Sequence, residues 1–104
     1  MKMMREGRVI FPNIMYERHL SFQDELVKEF GGFTLYTGQG GWGGPNGKII
    51  ENIVIYDISL DIEEWTTWGR LRDLIVRMGK DLKQDAVYYR RPNGIVEIIE
   101  LNEE

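Results

Sequence analysis

GGFTLYTGQGGWGGPNGKIIE, residues 31–51, is the stretch around which the rest of the chain is arranged. Eight of the twelve glycines in the chain lie between Gly31 and Gly47, and Trp42 stands among them. Glycine permits positive φ angles and lets backbone or ligand approach closely. A flexible linker would be rich in serine and would lack tryptophan. The stretch therefore predicts an ordered, shaped loop that marks a special site without naming a reaction.

A strand is predicted on each side of this loop. Residues 33–37 are rich in β-branched and aromatic side chains, and residues 48–60 contain the longest strand candidate of the chain. Pro45-Asn46-Gly47 is a turn signal that closes the loop between them. We therefore expect a β-hairpin whose two strands are joined by a long, glycine-rich connection.

Two amphipathic helices are predicted outside this hairpin. Ser21 and Asp61 each have the character of a helix N-cap and are followed three residues later by an acidic residue. Gly69 lies inside the second helix, where we expect it to allow close packing on the sheet. The second helix carries one apolar stripe with helical spacing, made of Ile62, Trp65, Trp68, Leu71, Ile75, Met78 and Leu82.

Three further strands complete a single domain over residues 1–104. They are predicted at residues 7–16, 86–90 and 95–101, and Pro92-Asn93-Gly94 turns the chain between the last two. The order β-α-β-β-α-β-β predicts an α+β fold. This order of elements is typical of a ferredoxin-like β-α-β-β-α-β antiparallel sheet, here with an extra C-terminal hairpin strand. Both helices are then expected to cover one face of the sheet.

The strands of this sheet are apolar on both faces. The uncovered face of an antiparallel sheet is normally polar, so that apolar and polar residues alternate. Val9-Ile10-Phe11, Ile53-Val54-Ile55-Tyr56 and Ile98-Ile99 are instead continuous apolar runs. Another subunit, a ligand or a folded-back loop must cover the second face. We therefore expect a homodimer or a larger homo-oligomer.

Composition and charge exclude several classes of protein. The chain has no cysteine and a single histidine, His19, which argues against disulfides and ordinary zinc sites, and we expect no metal and no cofactor. A net charge of −4 argues against general nucleic-acid binding. No apolar stretch approaches the roughly 18 residues of a membrane span, and the N-terminus lacks the apolar run of a signal peptide. We expect a cytoplasmic protein without a membrane partner.

The segment GQGGWG, residues 38–43, formally matches the dinucleotide-binding pattern G-x-G-x-x-G. That pattern requires a following helix, because the helix N-terminus holds the pyrophosphate, and here a turn and a strand follow. We therefore reject a Rossmann site. A glycine-rich hairpin loop can still present backbone N–H groups to an anion. The alternative is an ordered loop that tucks Trp42 onto the core.

A candidate site combines this loop with the end of the fourth predicted strand. Trp42 offers a ring on which a base or another planar ligand could stack. Arg90 offers the planar fork that suits oxyanions, and Tyr88 stands close to it as a second wall. Polar side chains near Trp42 add hydrogen-bonding groups. The predicted ligand-binding set is Thr37, Gln39, Gly40, Gly41, Trp42, Asn46, Tyr88 and Arg90.

Catalytic residues are harder to find. Glu51, Asp57 and Glu97 lie on predicted strands, and paired carboxylates can do acid–base chemistry. Strand carboxylates more often face water or an arginine, and no nucleophile is paired with His19 in the sequence. We therefore predict no catalytic residue, while an enzyme that uses one of these groups stays an alternative.

One family resemblance rests on the glycine-rich stretch. The residues Gly32-Phe33-Thr34, then Gly38-x-Gly40-x-Trp42, then Pro45-x-Gly47-x-x-Ile50 resemble the pattern of a domain-of-unknown-function family of small proteins. The order of strands and helices is similar over about residues 9–100. Members of that family commonly begin with secretion signals. The glutamate with which their next strand begins falls one place later than Glu51, at the position of Asn52. The resemblance implies the fold and a role for the loop, and it carries no activity.

The compact size, the acidic charge and the absent cysteine also resemble small virus-encoded cytosolic proteins that counter host defences. Some of those proteins sequester nucleotide signals without cleaving them. Our leading hypothesis is therefore a non-enzymatic, oligomeric protein that holds a small phosphorylated or nucleotide-like ligand. The first alternative is a protein–protein inhibitor or adaptor that uses the open sheet face or an edge strand. The second is a small enzyme that uses Glu51, Asp57 or His19.

Overall fold

The computed structural model describes residues 3–62 and 65–102 of the chain. It contains five strands and two helices, which confirms a small α+β fold. Within those two ranges, no helix is both long enough and apolar enough to cross a bilayer. In chain order the elements are β1 (Met4–Pro12), α1 (Tyr16–Phe30), β2 (Thr34–Gly44), β3 (Gly47–Asp61), α2 (Trp65–Asp81), β4 (Ala86–Arg90) and β5 (Val96–Glu100).

The five strands form one antiparallel sheet in the order β2-β3-β1-β4-β5. β1 is the central strand, and its residue Val9 pairs with Tyr56 of β3 on one side and with Tyr89 of β4 on the other. Directly paired residues share a face of the sheet. The pairing therefore assigns each strand residue to one of two faces.

One face of the sheet is covered by both helices and forms the core. Val9, Phe11 and Tyr56 on this face are fully buried. Phe22 of α1 and Ile75 of α2 belong to the same buried cluster. The ring of Phe22 meets the ring of Tyr56 edge-on, with their centroids 5.0 Å apart. Burial of one such side chain stabilises the fold by about 1.5–3 kcal/mol, so this cluster is the main source of stability.

The other face, called the open face below, carries Arg8 and Ile10 of β1, Ile55 of β3, Tyr88 of β4 and Ile98 of β5. Ile10 pairs with both Ile55 and Tyr88, which makes a continuous apolar row across the sheet. Ile98, at the end of this row, has 57% of its surface exposed. An apolar row is unusual on an exposed sheet face.

The glycine-rich segment is part of a strand pair, so the prediction of a long loop was wrong. β2 continues to Gly44 and β3 begins at Gly47, which leaves a two-residue turn at Pro45-Asn46. Gly47 adopts a φ angle of 111°, which favours glycine. Glycine is depleted in strands and therefore suggested a loop. The apolar residues opposite, Ile49 and Ile50, belong to a continuous ladder that keeps the glycines in the strand.

The outer part of this hairpin, residues 39–52, projects beyond the sheet and is called the arm below. The last residue of β1, Pro12, pairs with Ile53, so the arm residues pair only with each other. The backbone N–H of Asn13 donates to the carbonyl oxygen of Asn52 at 2.9 Å, at the base of the arm. Six residue pairs at about 3.3 Å each make the arm roughly 20 Å long.

Helix α1 begins at Tyr16, five residues before the predicted N-cap Ser21. The N-cap is Met15, which has left-handed backbone angles and makes no side-chain cap. The backbone N–H of Arg18 donates to the carbonyl oxygen of Met15 at 2.8 Å, so the main chain closes the first turn itself. Strand β1 correspondingly ends at Pro12 and does not reach residue 16 as predicted. Gly31 ends the helix with a φ angle of 88°.

The start of α2 was predicted from Asp61 and an acidic residue at position 64. Asp61 is the last residue of β3, and position 64 lies outside the described residues. Gly69 is exposed and has no heavy atom within 4 Å of a Cβ built on it, so its predicted packing role was wrong. Gly79 fills that role, because a Cβ there would lie 2.7 Å from Cγ2 of Val87 and even closer to Leu101.

Candidate ligand-binding site

A cavity of about 570 Å³ lies on the open face, where the arm leaves the sheet. Ile10 and Pro12 of β1 and Ile53 of β3 form an apolar floor. Small-molecule sites usually occupy about 300–1,000 Å³ and combine an apolar lining with a few polar groups. Four other depressions on the described surface have volumes of about 220 to 450 Å³. The cavity at the base of the arm is therefore the better candidate for a small organic ligand.

Trp42 forms the wall of this cavity on the arm side. A Cβ built on Gly40, two residues earlier on the same face, would lie 3.3 Å from Cζ3 of Trp42 and 3.3 Å from Cγ2 of Ile53. The indole therefore lies back over Gly40 toward the sheet. Trp42 still has 47% of its surface exposed. An exposed ring beside an apolar floor suits stacking on a planar ligand.

The strands on the other side of β1 supply the opposite wall. Tyr88 of β4 and Ile98 of β5 are strand partners that line the cavity from the open face. Residues 84–86, where the chain enters β4, complete the rim. Trp42 and Tyr88 thus place two aromatic side chains on one cavity from strands that are far apart in sequence.

Glu51 is the carboxylate on the arm side of the cavity. It is half-buried and pairs with Gly40 on the neighbouring strand, so it shares the face that carries Trp42. Within residues 3–62 and 65–102 it makes no ion pair and no side-chain hydrogen bond. An ionised carboxylate only accepts hydrogen bonds. Glu51 is therefore available to accept them from a ligand.

The other two strand carboxylates are held by arginines. Asp57 is 4% exposed and accepts two hydrogen bonds from Arg8, 2.6 Å from Nε to Oδ1 and 2.7 Å from Nη2 to Oδ2. Glu97, on the helix side of the sheet, accepts hydrogen bonds from Arg72 and from Arg91. The hydrogen bond from Arg72 is the largest cause that lowers the pKa of Glu97. Neither carboxylate is free for acid–base work.

Two arginines face each other next to the apolar row of the open face. Arg8 and Arg90 are direct partners across β1 and β4. The hydrogen bond with Asp57 raises the pKa of Arg8, which stays a cation. The guanidinium carbon of Arg8 also lies 5.8 Å from the centre of the Tyr36 ring. Asp57 therefore neutralises Arg8, and Arg90 contributes positive charge two residues beyond Tyr88.

Four members of the predicted ligand-binding set lie on the open face. Trp42 and Tyr88 line the cavity, and Gly40 lies beneath the indole ring of Trp42. Arg90 lies on the same face but outside the cavity lining. The loop and the fourth strand were expected to meet, and the structure brings them together. The binding role of these residues stays a prediction.

The other four members lie away from the cavity. Thr37 pairs with Val54, whose side chain is in the core, so Thr37 is on the helix side of the sheet. Gln39 and Gly41 follow at alternate positions and share that side. Asn46 lies in the turn at the tip of the arm. The structure therefore does not bring these four residues to the cavity.

Sequence reasoning missed the floor of the cavity. Ile10, Pro12 and Ile53 were predicted to be strand residues, and Ile98 was noted only for its apolar character. Their shared face depends on the register of three strand pairs, which local sequence does not reveal. Ile49, Glu51 and Ile53 occupy alternate positions of one predicted strand. This spacing was the one signal in the sequence that Glu51 shares a face with apolar residues.

The only histidine is buried behind the cavity and has a structural environment. Nε2–H of His19 donates to the carbonyl oxygen of Pro12 at 3.0 Å, so Nδ1 accepts from the hydroxyl of Tyr56 at 2.6 Å. Gln23 donates to the same hydroxyl at 3.1 Å. Burial lowers the pKa of His19. The imidazole is therefore neutral and supports Pro12 in the cavity floor from behind.

In the part of the chain that the structure describes, no three His, Cys, Asp or Glu residues are grouped as metal ligands. The cavity combines aromatic rings, aliphatic side chains, the carboxylates of Glu51 and Asp85 and the amide of Gln84. These groups suit an organic ligand with a planar ring and hydroxyl groups.

The sequence of the chain matches no protein-family model and no curated protein. Its fold matches solved structures. A phage SAM lyase in complex with S-methyl-5'-thioadenosine has a TM-score of 0.68 and 18% sequence identity, over 93% of this chain and 89% of that chain. The chain shares its fold with a phage SAM lyase. The apo state of phage SAM lyase has a TM-score of 0.65 and 20% identity, over 95% of this chain and 90% of that chain.

This likeness establishes a fold common to the three structures. It extends over nearly the whole length of each chain. The adenosine thioether is a ligand of the other protein. For the present chain, a ligand has to be argued from the cavity at the base of the arm.

Proposed function

We propose that this protein binds S-adenosyl methionine (SAM) in the cavity at the base of the arm and cleaves it to S-methyl-5'-thioadenosine. The observation that carries the proposal is the placement of Glu51 in one cavity with Trp42 and Tyr88. The shared fold with a phage SAM lyase supports it. The proposal keeps the nucleotide-like ligand expected from the sequence and replaces a phosphate by a sulfur substituent.

The lining of the cavity suits each part of an adenosine thioether. The adenine ring can stack on the exposed indole of Trp42, which is worth about 1–3 kcal/mol for a base. The ribose hydroxyls can donate hydrogen bonds to the carboxylate of Glu51. A cationic sulfonium is attracted to the face of an aromatic ring such as Tyr88. The apolar floor of Ile10 and Ile53 excludes water from the ligand.

The reaction requires little acid–base chemistry from the protein. The bond between sulfur and the methionine carbon breaks, and its electron pair moves to sulfur, which becomes the neutral thioether. In the same step a carboxylate oxygen of the methionine part forms a bond to that carbon, which closes a lactone, and no proton has to be transferred. Since the positive charge on sulfur disappears in the transition state, a carboxylate placed against sulfur would favour the ground state. We therefore assign Glu51 to the ribose.

The test is incubation of purified protein with an excess of SAM, followed by mass spectrometry. We expect S-methyl-5'-thioadenosine to exceed the protein concentration many times, against a control without protein. Glu51→Gln keeps the size of the side chain and weakens its acceptor, so we expect a lower rate and weaker binding of S-methyl-5'-thioadenosine. Wild-type protein that neither binds nor converts SAM would overturn the proposal.

A second candidate function is sequestration of the same ligand without turnover. It is favoured by one observation: the described lining of the cavity contains no serine, threonine, lysine or histidine, so the carboxylates of Glu51 and Asp85 are its main proton acceptors. The same experiment separates the two functions. Sequestration predicts that SAM is recovered unchanged, in an amount equal to the protein, after denaturation.

We also propose a homo-oligomeric, cytoplasmic protein of viral origin with a ferredoxin-like sheet. The phage origin of both structural neighbours supports the viral assignment. The strand order β2-β3-β1-β4, with both helices on one face, supports the ferredoxin-like assignment. The apolar row on the open face supports an assembly of several copies.

A further inference from the structure

Residues 84–86 form the rim of the cavity on the side opposite the arm and are called the rim segment below. Pro12, the last residue of β1, pairs with Ile53 on one side, and the register of β1 with β4 places Ala86 on its other side. Neighbouring strands lie about 4.8 Å apart, so Ala86 is about 10 Å from Ile53 across the cavity floor. A ligand that touches both the arm and the rim segment must therefore extend beyond a single base.

The rim segment is held in place by main-chain hydrogen bonds at the end of α2. The N–H of Gln84 donates to the carbonyl oxygen of Gly79 at 3.0 Å, after Lys83 has turned the chain with a φ angle of 58°. The carbonyl oxygen of Asp85 accepts from the N–H of Leu101 at 2.8 Å. A binding group on an anchored backbone loses little freedom when a ligand binds.

The side-chain amide of Gln84 has a fixed orientation. Its Nε2 donates to the carbonyl oxygen of Leu82 at 3.0 Å. A carbonyl oxygen only accepts, so the nitrogen of the amide must be the atom that faces Leu82. Among the described residues, no donor meets Oε1 of Gln84. Gln84 is half-buried in the cavity lining, so its Oε1 is an acceptor that a ligand can use.

The rim segment is also the negative end of β4. Asp85 is exposed and makes no ion pair within residues 3–62 and 65–102. The described lining of the cavity has the carboxylates of Glu51 and Asp85 but no lysine, arginine or histidine. Arg90 lies four residues beyond Ala86 on β4, about 13 Å away. The rim segment therefore suits a group that is positively charged and donates hydrogen bonds, such as a primary ammonium.

We propose that the rim segment binds the α-ammonium group of the amino-acid part of SAM, with Oε1 of Gln84 as the acceptor and Asp85 as the counter-charge. This rests on the proposed function, since a base on Trp42 and a ribose on Glu51 leave the amino-acid part to extend toward the opposite rim. Asp85 repels the carboxylate of the same amino acid. The carboxylate is therefore turned back toward the carbon bonded to sulfur, where the lactone closes.

The test compares SAM with a ligand that has no amino-acid part. Gln84→Met removes the acceptor and keeps the length of the side chain. We expect the KM for SAM to rise about tenfold, because a hydrogen bond to a charged group is lost. The affinity for S-methyl-5'-thioadenosine should be unchanged. Gln39→Met is the matched control and should change neither value, since Gln39 is exposed on the helix side of the sheet.

Asp85→Asn is a second variant, which removes a charge and keeps the size of the side chain. We expect the KM for SAM to rise about threefold at low salt and less at high salt, because exposed charges are screened. A SAM analogue without the α-amino group should inhibit the wild type and both rim variants with equal affinity, because it has no group for the rim segment to bind.

Two results would overturn the ammonium site: an unchanged KM for SAM in both rim variants, or an equal loss of affinity for SAM and for S-methyl-5'-thioadenosine. If the wild type binds S-methyl-5'-thioadenosine and converts SAM in the same experiments, the proposed function stands without this site. A wild type that neither binds nor converts SAM would overturn both.

Discussion

Gly40 and Trp42 lie two residues apart on the same face of β2, and a Cβ on Gly40 would approach Cζ3 of Trp42 to 3.3 Å. This distance is a few tenths of an ångström shorter than ordinary van der Waals contact, so a side chain at residue 40 would require the indole of Trp42 to shift. Gly40 therefore controls the cavity through the position of Trp42.

We predict that Gly40→Ala weakens binding of S-methyl-5'-thioadenosine about tenfold, which corresponds to about 1.4 kcal/mol. The methyl group displaces the indole from the cavity wall or shifts Ile53 in the floor. Gly43→Ala is the matched control, because a Cβ on Gly43 has no heavy atom within 4 Å. Isothermal titration calorimetry of both variants measures the difference, and equal affinities for the two would contradict the role of Gly40.

Trp42→Ala should reduce the affinity for the same ligand by about 5- to 150-fold, because one stacked base contributes about 1–3 kcal/mol. The melting temperature should change little, since Trp42 is exposed and outside the core. Tyr16→Ala on α1 is the control for loss of an exposed aromatic, because Tyr16 is 72% exposed. Unchanged affinity in Trp42→Ala would exclude the indole from the binding site.

Asp57→Asn should destabilise the fold by about 2 kcal/mol. A hydrogen bond to a charged group is worth about 1.5–3 kcal/mol, and Arg8 would lose its counter-charge. Glu29→Gln removes the exposed contact of Glu29 with Arg70, 3.9 Å long, and should cost less than about 1 kcal/mol. Urea unfolding measures both variants. Equal destabilisation would show that the buried carboxylate of Asp57 contributes no more than a surface ion pair.

The free energy of unfolding should rise as the pH is raised toward 6.5, because burial lowers the pKa of His19 below its ordinary value of 6.5. Below pH 6.5 the unfolded chain binds a proton at His19 that the folded chain does not bind. The stabilisation that neutral His19 provides is therefore fully present above pH 6.5 and is lost as the pH falls. Urea unfolding at several pH values measures the slope. His19 is the only histidine, so His19→Gln should abolish this slope; a slope that persists would assign it to other groups.

Much of the fold follows from local sequence patterns. The helices, the last two strands and the hairpin turn at Pro45-Asn46 were each indicated by periodicity or by turn residues. The start of α1 was missed because its first turn is closed by the main chain at Met15, without a capping side chain. The arm was missed because glycine has a low strand propensity. Here the backbone hydrogen bonds to the facing strand hold the glycines in an extended conformation.

The candidate site was predictable only in part. The glycine-rich segment and the fourth strand both reach the open face, as expected, through Trp42 and Tyr88. The prediction grouped Thr37 and Gln39 with Trp42 because successive side chains in a loop need not point to alternate sides. In a strand, odd and even positions face opposite sides, which separates residues 37, 39 and 41 from Trp42. The cavity floor depends on pairings between distant strands, which no local pattern contains.

The two-residue turn at the tip of the arm has a consequence for how such proteins can diverge. Side chains alternate along β2, so one residue inserted between Gly38 and Trp42 would turn the indole to the helix side while Glu51 stayed in place. The core lies outside the arm and would tolerate the change. Lineages that gain or lose a single codon in this segment would therefore keep a folded protein but turn the indole away from the cavity, whereas changes of two residues would preserve the facing of Trp42.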